Sequence, residues 1–150
     1  MRRARGVTLI ELLLVIGLIA AATALAASVV TAGLPGQQLR GAAREVAAQL
    51  RYTRAQAIVT GKAQMFTIDA QTREWQAPNR RHGVLPKVVG IVATVARSEQ
   101  PKQGVAGIRF FPEGASTGGR IVFQHERAGW QLDVDWLTGE VTLARAEAQP

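Results

Sequence analysis

The chain has no cysteine. Disulfides, thiolate catalysis and cysteine-ligated zinc or iron–sulfur centres are therefore excluded, and a domain exported to an oxidising compartment has to be held by its core alone. Histidine is nearly as scarce: His82 and His125 fall in different segments, so each reads as a surface residue rather than a metal ligand. A third absence says more. From residue 12 to residue 36 there is no ionisable side chain. At about 1.5 Å of rise per residue, that run is helix enough to cross a bilayer core of about 30 Å.

Charge gathers just before this run. Arg2, Arg3 and Arg5 supply three of the seven net positive charges, leaving +4 for the rest of the chain. Positive residues ahead of an apolar span keep that end cytoplasmic and send the C-terminal part across the membrane. Small residues such as Ala20-Ala21-Ala22 or Ala24-Leu25-Ala26 also mimic the cleavage site of an ordinary signal peptide. Glu11 is the one carboxylate at the start of the run. A charge buried in hydrocarbon costs about 2.5–3.5 kcal/mol, so Glu11 either lies at the headgroup boundary or has a partner.

At 150 residues, less the anchor, there is room for one soluble domain of roughly a hundred residues. The reading divides the chain into a leader at 1–6, a transmembrane or filament-core helix at 7–36, an amphipathic helix at 37–62 and a β-rich periplasmic head at 63–150. Leu39, Ala43, Val46, Leu50 and Ala57 fall on one stripe of a 3.6-residue helix. Arg40, Arg44, Arg51 and Arg54 form a second stripe about 90° away, which reads as a solvated flank before it reads as a nucleic-acid face. Pro35 is placed to kink or interrupt the helix.

After Gly61 the period changes to that of strands. Residues 63–69 and 74–76 read as strands around a turn at 69–73, 78–86 as loop, and 88–95 as a strand buried on both faces. Residues 97–104 read as polar linker. The last third alternates strands (107–111, 120–125, 140–143) with glycine-rich turns at 112–119 and 127–129. Trp130, Leu132, Val134 and Trp136 alternate with Gln131, Asp133 and Asp135, the period-two sign of a half-buried strand. The expected fold class is α+β: a long N-terminal helix on antiparallel sheet, either one or two small ones.

No site of chemistry stands out. Asp133, Asp135 and Glu140 make a hard-cation site conceivable, but carboxylates at spacing two are ordinary on a solvated strand face, and no metal or cofactor is expected. Residues 114–120 lack the lysine–serine ending of a phosphate loop and lie between strands, so they read as a turn. Ser116 and Thr117 have no histidine in readable position to act as base, and enzymatic activity is not expected.

Gly6-Val7-Thr8-Leu9-Ile10-Glu11, with the arginines before it and Leu12-Leu13-Leu14-Val15-Ile16 after it, resembles the processing motif of type IV pilins and type II secretion pseudopilins. The resemblance implies cleavage between Gly6 and Val7 by a prepilin peptidase that also methylates the new N-terminus. Glu11 would then serve assembly, near the N-terminal amine of a neighbouring subunit. Val7 departs from the family's usual Phe or Met, and Ser28 stands where major pilins place a proline. A second resemblance runs through Phe110-Phe111-Pro112-Glu113-Gly114-Ala115-Ser116-Thr117-Gly118-Gly119-Arg120-Ile121, residues 130–134, Leu137-Thr138-Gly139-Glu140-Val141 and Arg54-Ala55-Gln56-Ala57. These are similar to the GspH/FimT family.

That family implies a structural subunit of the bacterial inner membrane, single-pass with its C-terminal domain periplasmic. Its partners would be the major pseudopilin and the minor tip subunits of the type II secretion filament. The alternative it leaves open is a FimT-like minor pilin that binds DNA during uptake, for which Arg40, Arg44, Arg51, Arg54, Arg80 and Arg81 would supply phosphate contacts. Under the secretion reading nucleic acid is not an expected partner, and the tail at 144–150 offers no basic arm.

Overall fold

The computed structural model describes residues 8–95 and 104–147, with side chains for all of these except 25–33 and 147. A single helix, α1 (Leu9–Thr60), precedes the strands β1 (Gln64–Asp69), β2 (Glu74–Ala77), β3 (Arg81–Val84), β4 (Gly90–Val95), β5 (Val105–Phe110), β6 (Gly119–His125), β7 (Ala128–Val134) and β8 (Val141–Glu147). The chain divides into two compact units, Met1–Leu34 and Pro35–Pro150. Pro35 lies within α1, where its missing N–H withdraws one helical hydrogen bond without ending the helix.

Local chemistry sets both ends of α1. Thr8 is the N-cap: its Oγ1 accepts from the Glu11 amide at 3.3 Å, and its carbonyl accepts from the Glu11 and Leu12 amides. At the other end Gly61, with φ of +63°, takes the left-handed conformation that closes a helix.

In the second unit every member of the expected stripe, Leu39, Ala43, Val46, Leu50 and Ala57, is fully buried. Ala42, Ala47 and Thr53 join them. Thr53 satisfies its buried hydroxyl by donating to the Gln49 carbonyl at 2.8 Å.

The strands form two four-stranded antiparallel sheets, ordered β3-β2-β1-β5 and β4-β6-β7-β8. Alternation gives each sheet one apolar face: Phe66, Ile68, Trp75, Ile108 and Phe110 in the first, Ile121, Phe123, Leu132, Val134 and Val141 in the second. All join the helix stripe in one core. Trp75 links the first sheet to the helix. Its ring stacks on Phe66 with centroids 6.3 Å apart, its Nε1 donates to Glu45 Oε1 at 2.9 Å, and Gly83 lies so close beneath it that a Cβ there would overlap the indole.

The fold differs from the sequence expectations at four places. Residues 78–86 contain a strand: β3 pairs with β2 through a turn in which Asn79 and Arg80 both have φ of 60°. That is the mirror-image turn suited to hairpin twist, hidden because its second residue is Arg where glycine is the usual signal. β4 is an edge strand, half-buried at Ile91, Ala93 and Val95 and exposed at Val92, instead of being buried on both faces. A continuous apolar run cannot distinguish these cases, because it carries no alternation to read. The alternation from Trp130 stops at Val134, since the Asp135 carboxylate turns the chain and leaves Trp136 in solvent. The last strand runs on to Glu147, paired with β7 down to Ala128.

Candidate functional site

Gly6 and Val7 lie outside the described residues. Just beyond them, Thr8 and Glu11 stand as Ncap and N3, the spacing of a capping box. Sequence reasoning weighed Glu11 as a membrane charge and missed this local role, although Thr-x-x-Glu before an apolar run is its signal. From Leu9 to Ile19 nine large apolar side chains are exposed, from Val15 at 45% to Leu9 at 78%. They surround the helix on all sides, so the segment has no solvent-suited face. Among the described residues no helix is long and apolar enough to cross a membrane. The uncharged run continues through 25–33, whose side chains are outside the described set.

The six arginines singled out in the sequence do not form one patch. Arg40 lies over the Trp130 ring, 5.6 Å from its centroid, with Arg145 of β8 on the same ring at 5.8 Å. Arg51 Nη2 donates to the Val141 carbonyl at 2.9 Å, and Arg54 Nε donates to the Gly114 carbonyl at 3.1 Å. Three of the four helix arginines thus tie the head to α1. Arg44 is exposed beside them.

Arg80 and Arg81 sit apart, on the β2–β3 hairpin. Arg81 covers the Tyr52 ring at 4.5 Å, while Asn79 Nδ2 donates to Tyr52 Oη at 2.6 Å and to Gln56 Oε1 at 3.2 Å, pinning the hairpin tip to the helix. Arg80 is exposed at that tip.

Asp133 and Asp135 have separate structural uses. Asp133 accepts from Arg120 Nε at 2.6 Å and from Gln131. Asp135 Oδ1 accepts from the Leu137 and Thr138 amides and the Thr138 hydroxyl. The Thr138 amide and hydroxyl, then the Leu137 amide, hold its carboxyl below the usual carboxylate range. Asp69 is lowered the same way by the Thr72 and Gln71 amides in the turn after β1. Among the described residues no three His, Cys, Asp or Glu side chains converge as a metal site. His82 Nδ1 is 3.0 Å from the Arg80 carbonyl and His125 Nδ1 is 2.9 Å from that of Val88, 43 residues apart in sequence and on different sheets.

Residues 42–139 match the family described as Type II transport protein GspH. Type II secretion system protein H of Xanthomonas campestris pv. campestris is 52% identical over 140 residues, covering 93% of this chain and 83% of that one. The fold is similar to that of the minor pseudopilin EpsH from the type 2 secretion system of Vibrio cholerae, with a TM-score of 0.57 at 16% identity over 72% of this chain and 97% of that one. It is also similar to that of the type IV minor pilin FimU of Pseudomonas aeruginosa, with a TM-score of 0.55 at 15% identity over 72% and 89%. The fold is therefore shared between secretion and pilus proteins and does not separate them. The family match and the half-identical relative do: the chain belongs to the GspH family, the minor pseudopilins of type II secretion.

Proposed function

We propose that the chain is anchored in the bacterial inner membrane by its N-terminal helix, with the head in the periplasm. A prepilin peptidase cuts it after Gly6 and methylates Val7, and it then joins the pseudopilus through the apolar segment. It acts there as a structural subunit and not as an enzyme. The observation that carries this reading is the sleeve of nine exposed apolar side chains between Leu9 and Ile19, with Glu11 the one charge among them. Such a surface is stable against lipid or against neighbouring helices, and exchanging one for the other costs little.

Glu11 supplies what that exchange lacks, a choice of register. Cleavage frees an α-amino group at Val7, and a carboxylate and an ammonium brought together in low dielectric attract strongly, with desolvation offsetting much of the gain. In the monomer Glu11 sits at N3 of its own helix, where a negative charge also favours the N-terminal dipole. Two roles for one carboxylate call for two variants. Membranes carrying wild type, Glu11→Gln or Thr8→Ala are solubilised, co-purified proteins identified, and the mature N-terminus read by mass spectrometry.

The expected result is an N-terminus at Val7 in all three, with other pseudopilins recovered by wild type and Thr8→Ala and lost with Glu11→Gln. Equal loss in both variants would reduce Glu11 to a helix cap. An uncut chain would overturn the processing step.

A further inference from the structure

From residue 12 to residue 39 the chain carries no charge, so Arg40 is the first ionisable side chain after Glu11. It belongs to a cluster. Arg40 and Arg145 lie over the same Trp130 ring, 5.6 and 5.8 Å from its centroid. Both arginines are exposed and the indole is half-buried. Neither guanidinium has a carboxylate partner among the described residues. Stacking orders a guanidinium through its flat face and leaves its N–H edge open, the part that forks onto two oxygens of one phosphate.

The strand ends around the cluster carry the same sign. Trp130 and Arg145 are opposite each other in β7 and β8, two residues from the end of that ladder, where Ala128 faces Glu147. The β6–β7 turn at this end presents Arg127, and exposed Lys87 precedes Val88, whose carbonyl lies 2.9 Å from His125 Nδ1 in β6. Two carboxylates belong to the same end, Glu126 in the turn and Glu147 in β8, against the four cations Arg40, Lys87, Arg127 and Arg145.

We propose that this end of the head binds the phosphate of an anionic phospholipid headgroup, with Arg40 and Arg145 on its oxygens and Trp130 at the same depth. The inference rests on the anchoring reading above and adds a lipid class and a site on the head. An apolar helix partitions into any bilayer without choosing among headgroups.

Continuity with the anchor is the first argument. In a chain that leaves the bilayer at the end of its uncharged run, Arg40 is the first charge to meet the headgroups, and arginine and tryptophan are side chains suited to that layer. Charge complementarity is the second. An anionic headgroup meets a net excess of cations here, whereas a zwitterionic one brings its own ammonium and gains less. A DNA duplex needs phosphate contacts along a track, and the arginines further along the helix, Arg51 and Arg54, are turned onto the Val141 and Gly114 carbonyls.

Native mass spectrometry of the full chain in detergent, titrated with short-chain phosphatidylglycerol or phosphatidylcholine, reads the lipids held. Wild type is expected to hold one phosphatidylglycerol at concentrations where phosphatidylcholine leaves it bare. Each cation near an anionic lipid contributes about fivefold in affinity, so Arg40→Gln with Arg145→Gln should weaken phosphatidylglycerol about 25-fold. Lys87→Gln with Arg127→Gln, both at exposed positions away from the Trp130 stack, should also weaken it and guards against misfolding of the first pair. Arg80→Gln, on the β2–β3 hairpin of the other sheet, should change nothing.

Equal uptake of the two lipids, an affinity unchanged in either double variant, or the same loss with Arg80→Gln overturns the proposal. So does a DNA duplex that displaces the lipid and loses its own binding with Arg40→Gln and Arg145→Gln. Membrane fractionation checks the anchoring reading separately. A chain that stays with the membranes but shows no lipid preference loses only the headgroup site, whereas a wild type absent from that fraction overturns both.

Discussion

Gly139→Ala tests how tightly the head is knotted to the helix. Gly139 has φ of +65°, and a Cβ on it would lie under 3.0 Å from the Gly114 carbonyl oxygen and 3.0 Å from Arg54 Nε. The left-handed conformation alone costs an L-residue about 1–2 kcal/mol. Relieving the overlap moves Gly114 off Arg54, and a hydrogen bond from a charged donor contributes about 1.5–3 kcal/mol. The expected loss is about 3–5 kcal/mol, against about 5–15 kcal/mol for a whole domain.

Gly61→Ala is the matched control, because Gly61 has nearly the same φ, +63°, and nothing within 4 Å of the added Cβ. It is expected to cost about 1 kcal/mol. Urea unfolding of the full chain in detergent reads both, since Trp75, Trp130 and Trp136 all belong to the head and their fluorescence reports it alone. At a slope of about 2 kcal/mol/M, the midpoints should fall by roughly 2 M for Gly139→Ala and roughly 0.5 M for Gly61→Ala. Equal shifts would refute the argument, because the backbone term would then be the whole effect and the Arg54 knot would contribute nothing.

Three further outcomes follow from the same structure. Arg80→Gly should raise the urea-derived stability by about 0.5–1 kcal/mol, because Arg80 is held at φ of 60° and glycine removes that cost at a site where Arg80 makes no core contact. Glu45→Ala leaves the Trp75 indole N–H, itself nearly buried, without its acceptor, and should cost about 1–2 kcal/mol with a change in tryptophan emission. Asp69 and Asp135 both have lowered carboxyl values, so their turn-closing contribution is present above the unfolded carboxylate range and is lost as pH falls below about 4. An acid titration of thermal stability should therefore decline there, and less steeply in Asp135→Asn.

The helix stripe was legible because a 3.6-residue period is written directly in residue order: Leu39 through Ala57 are buried as the spacing demands. The β6–β7 hairpin was legible for the same reason, through alternation. The resemblance through residues 110–141 and Arg54-Ala55-Gln56-Ala57 pointed to the GspH/FimT family, and the match over residues 42–139 bears that out. The β2–β3 turn was not legible, since Asn79-Arg80 adopts left-handed geometry without the glycine that announces it, stabilised by Tyr52 and Gln56 from a helix some two dozen residues earlier.

The sequence by itself determined what depends on near neighbours: the cysteine-free chemistry, the uncharged run and the face of α1 that seeks a core. Only the tertiary structure decided what depends on partners far apart in the chain. Arg51 and Arg54 become ties to carbonyls 90 and 60 residues away, where the sequence showed only a basic stripe. β4 becomes an edge, because nothing pairs with its other side among the described strands. Trp136, one step past the end of an alternating strand, is turned outward by a carboxylate that caps its own turn. Hydrophobic period is a local record of burial, whereas the identity of a long-range hydrogen-bond acceptor leaves no mark on the residues beside the donor.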